Sequence, residues 1–335
     1  MTHKILVTGG TGFIGSHTCL KLIADGYQVV ILDNLSNSQE SVLDALEQIS
    51  GTRPEFIHGD IRDRILLNRI FQEQDIAAVI HFAGLKAVGE SVSQPLKYYD
   101  NNIAGTVVLM QAMQQAGVRS LVFSSSATVY GDPQQLPIPE DHPLSATNPY
   151  GHTKLVLEEI MGNVYRSESG WRIGLLRYFN PVGAHPSGLI GEAPQGVPNN
   201  LMPYVAQVAS GKREQVQVFG QDYDTPDGTG VRDYIHVMDL AQGHVAALRY
   251  LQDNEPELLA VNLGTGRGYS VLEMIRAFAR SSGRDIPYTI APRRPGDIAS
   301  CWADTRLARE KLNWTADKDI QEMCDDAWRW QSGQA

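Results

Sequence analysis

The sequence predicts an α/β fold in which a doubly wound parallel sheet is followed by a smaller α/β C-terminal domain. Three observations predict it. Between Lys4 and Pro181, short β-branched apolar runs alternate with Gly-rich or polar turns and helix-like stretches. Four of those runs are apolar without interruption, as strands covered on both faces must be. The first run also ends in a turn with glycines three residues apart, directly ahead of a helical stretch.

Ile5-Leu6-Val7 makes the first strand. Val29-Val30-Ile31-Leu32, Phe56-Ile57, Ala78-Val79-Ile80, Leu121-Val122-Phe123 and Ile173-Gly174-Leu175-Leu176 follow, each too short for a helix and each separated from the next by a helix-like segment. Strands that alternate with helices join by right-handed crossovers and so lie parallel. Past Pro181 the pattern weakens. The stretch from Gly183 to Asn200 is crowded with proline and glycine, a composition that regular elements reject and that shapes ligand sites. The domain boundary is placed there, dividing 1–181 from 182–335. Beyond it the patterning predicts helix 201–213, strand 215–219, helix 238–251, strand 260–263, helix 270–282 and two short helices before Ala335.

Composition narrows the class of protein. A chain of 335 residues, set against roughly 150 per domain, makes one large or two ordinary domains with a real core. No apolar run approaches the roughly 20 residues that a bilayer-spanning helix needs, which argues against a membrane protein. Met1-Thr2-His3-Lys4 runs straight into the first strand, so no secretory leader is expected. Cys19, Cys301 and Cys324 are widely spaced and odd in number, a pattern that supports neither disulfides nor a zinc ribbon and fits a reducing cytoplasm. The net charge of −10 comes without a basic cluster, so nucleic acid is not an expected partner, and an anionic ligand must be held by local charges and helix ends.

In the turn Gly9-Gly10-Thr11-Gly12-Phe13-Ile14-Gly15, each of three glycines has a physical task. Gly9 allows the tight turn, Gly12 lets backbone approach a pyrophosphate at the helix N-terminus, and Gly15 lets helix and strand pack closely. A glycine triplet alone is weak, because any strand-to-helix turn favours glycine. Here the next strand ends in Asp33, eighteen residues after Gly15, close to the spacing of a carboxylate that accepts ribose hydroxyls. That carboxylate would repel a 2′-phosphate, so the expected cofactor of this Rossmann-type sheet is NAD rather than NADP.

In Asn148-Pro149-Tyr150-Gly151-His152-Thr153-Lys154, Asn148 can cap a helix and Pro149 suits its first position. Tyr150 and Lys154 then share one helical face, where a cation beside the phenol favours the phenolate. A phenol so tuned is a usable acid/base for a sugar or alcohol hydroxyl. Tyr-x-x-x-Lys is common on helix surfaces, but here it lies downstream of a dinucleotide loop and of a strand ending in Ser124-Ser125-Ser126, where a doubly wound fold places ligands.

Over roughly the first 180 residues these features resemble the extended short-chain dehydrogenase/reductase superfamily. Longer stretches are similar to its UDP-glucose 4-epimerase family: His81–Ser91 (HFAGLKAVGES), Tyr98–Asn102, Ser124–Gly131 (SSSATVYG), Leu176–Ser187, Pro198–Pro203 and Gly228–Leu240 (GTGVRDYIHVMDL). The likeness spans nearly the whole chain. It implies an NAD-binding domain at 1–181 and a UDP-sugar-binding domain at 182–335, with parts of 232–265 returning to the first domain, and commonly a homodimer. It further implies that Tyr150 takes the sugar 4-hydroxyl proton while a hydride leaves C4, that the 4-keto sugar turns over in the pocket, and that the hydride returns to its other face. Ser126 would bond the reacting hydroxyl, and Lys154 would hold the nicotinamide ribose while tuning Tyr150. Phe13 and Ile14 would meet pyrophosphate; Asp33, Asn34 and Ser38 would face the adenosine end, with Asp60 and Ile61 beside the adenine. Phe82, Ala83, Gly84, Lys86, Asn101 and Phe179 would line the cofactor, Lys86 also reaching substrate. Asn180, Asn200, Val218, Arg232, Arg294 and Asp297 match positions that hold the nucleotide-sugar, arginine suiting a diphosphate because its fork pairs with two oxygens.

By the same resemblance Cys301 is a pocket wall beside the sugar 2-position. A small side chain there, where other members carry tyrosine, leaves room for an N-acetyl group, so UDP-N-acetylglucosamine and UDP-N-acetylgalactosamine are expected substrates as well. Nucleotide-sugar 4,6-dehydratases carry an Asp-Glu pair where this chain has Ala127 and Thr128, which argues against dehydration. A nucleotide-sugar-binding regulator that has lost turnover is the other alternative; Ser126, Tyr150 and Lys154 together argue against it.

No metal is expected. Asp222, Asp224, Asp227 and Asp233 resemble a calcium loop, but Pro226 interrupts it and the third acid is misplaced, so a solvated loop is expected. His236 and His244 lack a third ligand and read as ordinary helix residues. Gly264-x-Gly266-x-Gly268 looks like a second phosphate loop, yet no acid follows at ribose spacing, and a strand-to-helix turn capped near Ser270 is expected instead.

Overall fold

The structure, a computed structural model, describes residues 3–334 except Gln195, Val197, Asn199 and Pro295. Asn199 of the 198–203 motif and Pro295 beside Arg294 therefore lie outside the described residues. The six apolar runs form β1 (Lys4–Thr8), β2 (Gln28–Asp33), β3 (Glu55–His58), β4 (Ile76–His81), β5 (Ser120–Ser124) and β6 (Arg172–Tyr178). After them come β7 (Asn180–Val182), β8 (Val216–Phe219), β9 (Val231–His236), β10 (Leu258–Leu263), β11 (Gly268–Ser270), β12 (Tyr288–Ala291) and β13 (Ser300–Cys301). The helices between the early strands are α1 (Phe13–Ala24), α2 (Ser41–Ser50), α3 (Arg64–Glu73), the short α4 (Val88–Ser93) and α5 (Pro95–Tyr98), α6 (Gly105–Ala116) and α7 (Pro149–Ser167). Later come α8 (Leu201–Ala209), α9 (Val237–Asp253), α10 (Val271–Ser282), α11 (Arg306–Leu312) and α12 (Ile320–Gly333). Among the described residues no helix is long and apolar enough to cross a membrane.

Seven strands make one sheet in the order β10-β6-β5-β4-β1-β2-β3, every neighbouring pair parallel. Ile5, Leu6 and Val7 are fully buried, because helices cover both faces at the sheet centre. β3, at the edge, is short and only half-buried. The strand order reverses between β1 and β4, which opens a crevice at their carboxyl ends, the place where such sheets bind ligands.

α1 packs on the sheet and against α2 and α9, so it is buried almost all round. Its polar side chains bond back one turn: Thr18 Oγ1 donates to Ile14 O at 2.9 Å, and His17 Nδ1 bonds Phe13 O at 2.7 Å, while His17 Nε2 is buried without a partner among the described residues.

After Tyr178 the chain leaves this sheet. β9 pairs with β7, β11 and β13, and β8 pairs with β12, while α8, α10 and α12 enclose a separate apolar core around Val205, Phe278 and Met323. α9 and β10 then return to the main sheet, β10 pairing with β6. α8 ends at Ala209, short of the expected 213, because Gly211 at φ +76° turns the chain.

Candidate active site

Gly9 adopts φ +72°, and a Cβ there would stand 2.7 Å from Ala83 N; a Cβ on Gly15 would stand 2.2 Å from Gly9 O. Both positions therefore require glycine. The loop delivers the N-terminus of α1 to the crevice, with Gly12 as a cap that has no side chain to occupy the first amides, and with Phe13 and Ile14 opening the helix.

The Asp33 carboxylate, at the end of β2, accepts from Thr11 N at 3.1 Å, Leu35 N at 2.9 Å and Ser38 Oγ at 3.3 Å, so the glycine turn and the 34–38 loop are tied to it. Asn34 donates to Asp60 Oδ2 at 2.9 Å, and the Arg62 guanidinium holds Asp60 well below the usual carboxylate range. Ile61 is buried beside it.

A directed hydrogen-bond chain joins β1 to β4. Ala83 N donates to Thr8 Oγ1 (3.4 Å), Thr8 Oγ1 to His81 Nδ1 (2.6 Å), His81 Nε2 to Thr106 Oγ1 (2.8 Å), and Thr106 Oγ1 to Asn102 O (2.6 Å). The last link leaves Thr106 only its lone pairs for His81, which assigns the proton to Nε2 and a neutral ring. Asn102 in turn holds Leu85 by both backbone groups, and Asn101 donates to Asn102 Oδ1. Phe82 packs against His244, ring centres 4.7 Å apart, and Gly84 follows Ala83 in the same loop. Lys86 pairs with Glu192 at 3.0 Å, and Asn200 donates to the same oxygen at 3.0 Å.

Asn148 caps α7 by accepting from Gly151 N at 2.9 Å, and this places Tyr150 and Lys154 on its buried face. Ser126, just past β5, accepts from Thr128 N (3.2 Å) and Thr128 Oγ1 (3.0 Å), so its own hydroxyl proton is the group left to donate. Lys154 Nζ donates to the Ser124 carbonyl at 2.7 Å and lies 4.7 Å from the Phe123 ring centre. Burial brings the ammonium down to about 8, partly countered by Glu158. Burial and the neighbouring Tyr178 hold the Tyr150 phenol well above its ordinary value, with the Ser126 hydroxyl pulling it down. The four-residue spacing puts the cation on the same buried face of α7 as the phenol, and its hydrogen bond goes to the end of β5.

On the other side of the crevice, register places Asn180 of β7 and Cys301 of β13 on strands flanking β9, which carries Arg232. Arg232 spends one donor on Val231 O at 2.9 Å. Cys301 is buried with Phe179, Val129 and Tyr130, and burial pushes its thiol up to about 12, leaving a small neutral side chain. Val218 is buried in β8; the adjacent Phe219 ring lies 4.6 Å from the Arg294 guanidinium, which pairs with Asp297 at 3.0 Å. Arg294 and Asp297 belong to the segment between β12 and β13.

Two expectations are corrected: Asp233, expected with Asp222, Asp224 and Asp227 in a solvated loop, is a buried residue of β9, and His236, expected within a helix, ends β9 and caps α9, because β9 runs through the interior. Sequence reading also missed the polar partners of these groups. Asp233, fully buried, accepts from Thr265 N, Thr265 Oγ1, Gly266 N and Ala303 N at 2.6–3.1 Å, so the glycine loop after β10 wraps an internal carboxylate. That burial raises Asp233 to about 6. Ser270 then caps α10 with Glu273. His236 bonds Asp326 at 3.1 Å and His244 bonds Leu240 O at 2.9 Å. Tyr178, which receives a hydrogen bond from Ser124 at 3.0 Å, and Glu192 carried no sequence signal; Glu158 continues the four-residue spacing of Tyr150 and Lys154 and could have been found by it.

The model of the GDP-mannose 4,6 dehydratase family matches residues 6–327. The UDP-glucose 4-epimerase of Bacillus subtilis (strain 168) is 60% identical over 328 residues, 98% of this chain and 96% of its own length. Among solved structures, a UDP-glucose-4-epimerase from Stenotrophomonas maltophila with bound NAD and formylated UDP-arabinopyranose superposes with TM-score 0.97 at 53% identity, covering 99% of this chain and 98% of that one. A UDP-glucose 4-epimerase from Bifidobacterium longum in complex with NAD+ and UDP superposes with TM-score 0.96 at 53% identity, covering 98% of each chain.

Proposed function

Because the chain belongs to the UDP-glucose 4-epimerase family, we propose that it is an NAD-dependent isomerase that interconverts UDP-glucose and UDP-galactose at C4 through a transient 4-keto sugar, and their N-acetylated counterparts as well. The observation that carries this is the convergence of Ser126, Tyr150 and Lys154 at the carboxyl end of β5, beside the crevice where the glycine loop and Asp33 lie.

The crevice fits a dinucleotide. The side-chain-free cap of α1 suits a pyrophosphate, and the two oxygens of Asp33 suit paired hydroxyls rather than a phosphate. NAD, when bound, takes the hydride from C4 of the sugar and returns it. Tyr150 takes the 4-hydroxyl proton and gives it back, so it ends each turnover as it began. Lys154, a cation one helical turn away, lowers the cost of the phenolate, and Ser126 donates its free proton toward the reacting oxygen. Arg232 and Arg294 suit the diphosphate. Cys301 leaves the sugar 2-position open to an N-acetyl group. NAD is assigned to 1–181 together with α9 and β10, and the UDP-sugar to the rest.

The dehydratase for which the family model is named needs acids after the strand serine. Ala127 and Thr128 supply none, and Thr128 is engaged with Ser126. Three buried free cysteines support a cytoplasmic setting. Val88, Val92 and Leu96, exposed at four-residue intervals around α4 and α5, support a homodimer, which light scattering tests. The deciding assay is interconversion of UDP-galactose and UDP-glucose by purified protein without added NAD. No turnover there would overturn the epimerase reading.

A further inference from the structure

Behind Ser126 and Lys154 lies a buried ion pair to which the reaction as described gives no role beyond the effect of Glu158 on the Lys154 ammonium. Glu158 is one turn beyond Lys154 on the buried face of α7, and Arg177 is on β6; their side chains are 4% and 6% exposed and meet at 2.7 Å. Apart from the bond that Arg177 Nη1 donates to the Glu140 carbonyl at 2.8 Å, their remaining bonds converge on one segment. Glu158 Oε1 accepts from Ser125 Oγ at 2.6 Å, and Arg177 Nη1 donates to Tyr130 OH at 3.1 Å with the guanidinium 5.1 Å from the Tyr130 ring centre. Ser125 and Tyr130 are the two ends of the short turn that carries Ser126, and Ser126 caps that turn from within. Tyr130 passes the contact on to Asn262 of β10 at 2.6 Å.

A buried ion pair is a poor source of net stability, since desolvating both charges offsets most of their attraction and apolar residues of similar volume do as well. What it supplies is direction, because both partners must satisfy several fixed donors and acceptors at once. We propose that the Glu158–Arg177 pair is a positioning element of the epimerisation reaction: it clamps the Ser125–Tyr130 turn at both ends and so fixes the Ser126 hydroxyl relative to Tyr150 and Lys154 on α7. The proposal rests on the roles assigned above to Ser126, Tyr150 and Lys154. Glu158 and Arg177 touch neither substrate nor cofactor in it. Their effect falls on the chemical step, where a displacement of about an ångström costs on the order of a hundredfold.

The test is the double variant Glu158→Leu/Arg177→Met, which removes the clamp without leaving a buried charge unpaired. Expected are an unfolding temperature and a content of co-purified dinucleotide close to the parent's, a KM for UDP-galactose within about threefold, and a kcat lower by at least about tenfold. A merely structural pair would move the unfolding temperature and leave the kcat of the folded fraction alone. The companion variant Ser125→Ala opens one end of the clamp and keeps the ion pair, so it decides the matter should the double variant not fold; a kcat lower by about threefold or more is expected of it. Parental kcat in the folded double variant, or in Ser125→Ala if the double variant is unfolded, overturns the proposal. Tyr150→Phe, run in the same assay, separates the two levels of inference. If it is inactive while the clamp variants are fully active, only the clamp falls; if it is fully active, the assignment of the catalytic groups falls and the clamp with it.

Discussion

Tyr150 is a phenol whose proton the protein alone holds tightly, because its ring is buried and Tyr178 is near. Tyr150→Phe should keep the fold and the bound dinucleotide while kcat drops by about 10²–10⁴-fold, measured by coupled conversion of UDP-galactose. Asp33 makes a second statement at this scale. Its two oxygens already anchor Thr11 and Leu35, so an added phosphate would meet a carboxylate that cannot swing away. Protein denatured after purification should release NAD(H) with little NADP(H), and mostly NADP(H) in the extract would contradict the role given to Asp33. Cys301 packs against Phe179 at the strand paired with Arg232. Cys301→Tyr should abolish epimerisation of UDP-N-acetylglucosamine while UDP-galactose turnover changes little, since a steric clash discriminates more sharply than a lost contact does. An unchanged ratio of the two activities would remove Cys301 from the pocket wall.

Among elements, β9 depends on a single buried carboxylate. Asp233 receives three backbone amides and a hydroxyl from the 265–266 loop and from Ala303, just past β13. Asp233→Ala leaves those amides without acceptors in the interior, and each buried unpaired donor costs about 1–3 kcal/mol. A loss of at least about 3 kcal/mol is expected from urea unfolding. A midpoint equal to the parent's would mean that water takes over the role. The glycine spacing of this loop resembles that of a phosphate loop because the geometry is the same: successive amides turned toward one anion, here a side chain of the protein itself.

For the molecule as a whole, three of the buried histidines contribute to the response to acid. Burial lowers His17 and His81 to about 3 and His244 to about 4, against 6.5 when exposed. The unfolded chain therefore binds these protons at a pH where the native protein does not. The stability that these three groups contribute is at its full value well above pH 6.5 and falls as pH drops toward 4, each histidine contributing a slope of about 1.4 kcal/mol per pH unit in that window. Asp233, raised to about 6, works in the opposite sense between roughly pH 4 and 6 and offsets about one of the three. His81→Gln, assayed by urea unfolding at pH 7 and pH 5, should reduce the difference between the two by roughly the share of one histidine. An unaltered difference would show that His81 is not held neutral by the Thr8–Thr106 chain.

Residues 1–181 were legible because their signals are short-range. A strand buried on both faces must be apolar throughout, a turn at φ +72° against Ala83 must be glycine, and Asn148 followed by Pro149 must start a helix, so Tyr150 and Lys154 fell on one face by spacing alone. Resemblance extended this to the sugar-binding residues, whose pattern no periodicity reveals. What the amino-acid order determined by itself is thus the parallel sheet, the glycine loop with its acid, and the helix that presents the tyrosine and lysine. Tertiary structure alone decided which partners the charged and polar side chains take: Glu192 for Lys86 and Asn200 at the surface, and in the interior the Ser124 carbonyl for Lys154, Arg177 for Glu158, and the 265–266 loop for Asp233. Helical and strand periods are set by bonds a few residues long, whereas a buried charge is satisfied by whichever donors or acceptors the completed fold brings within about 3 Å, from any distance along the chain.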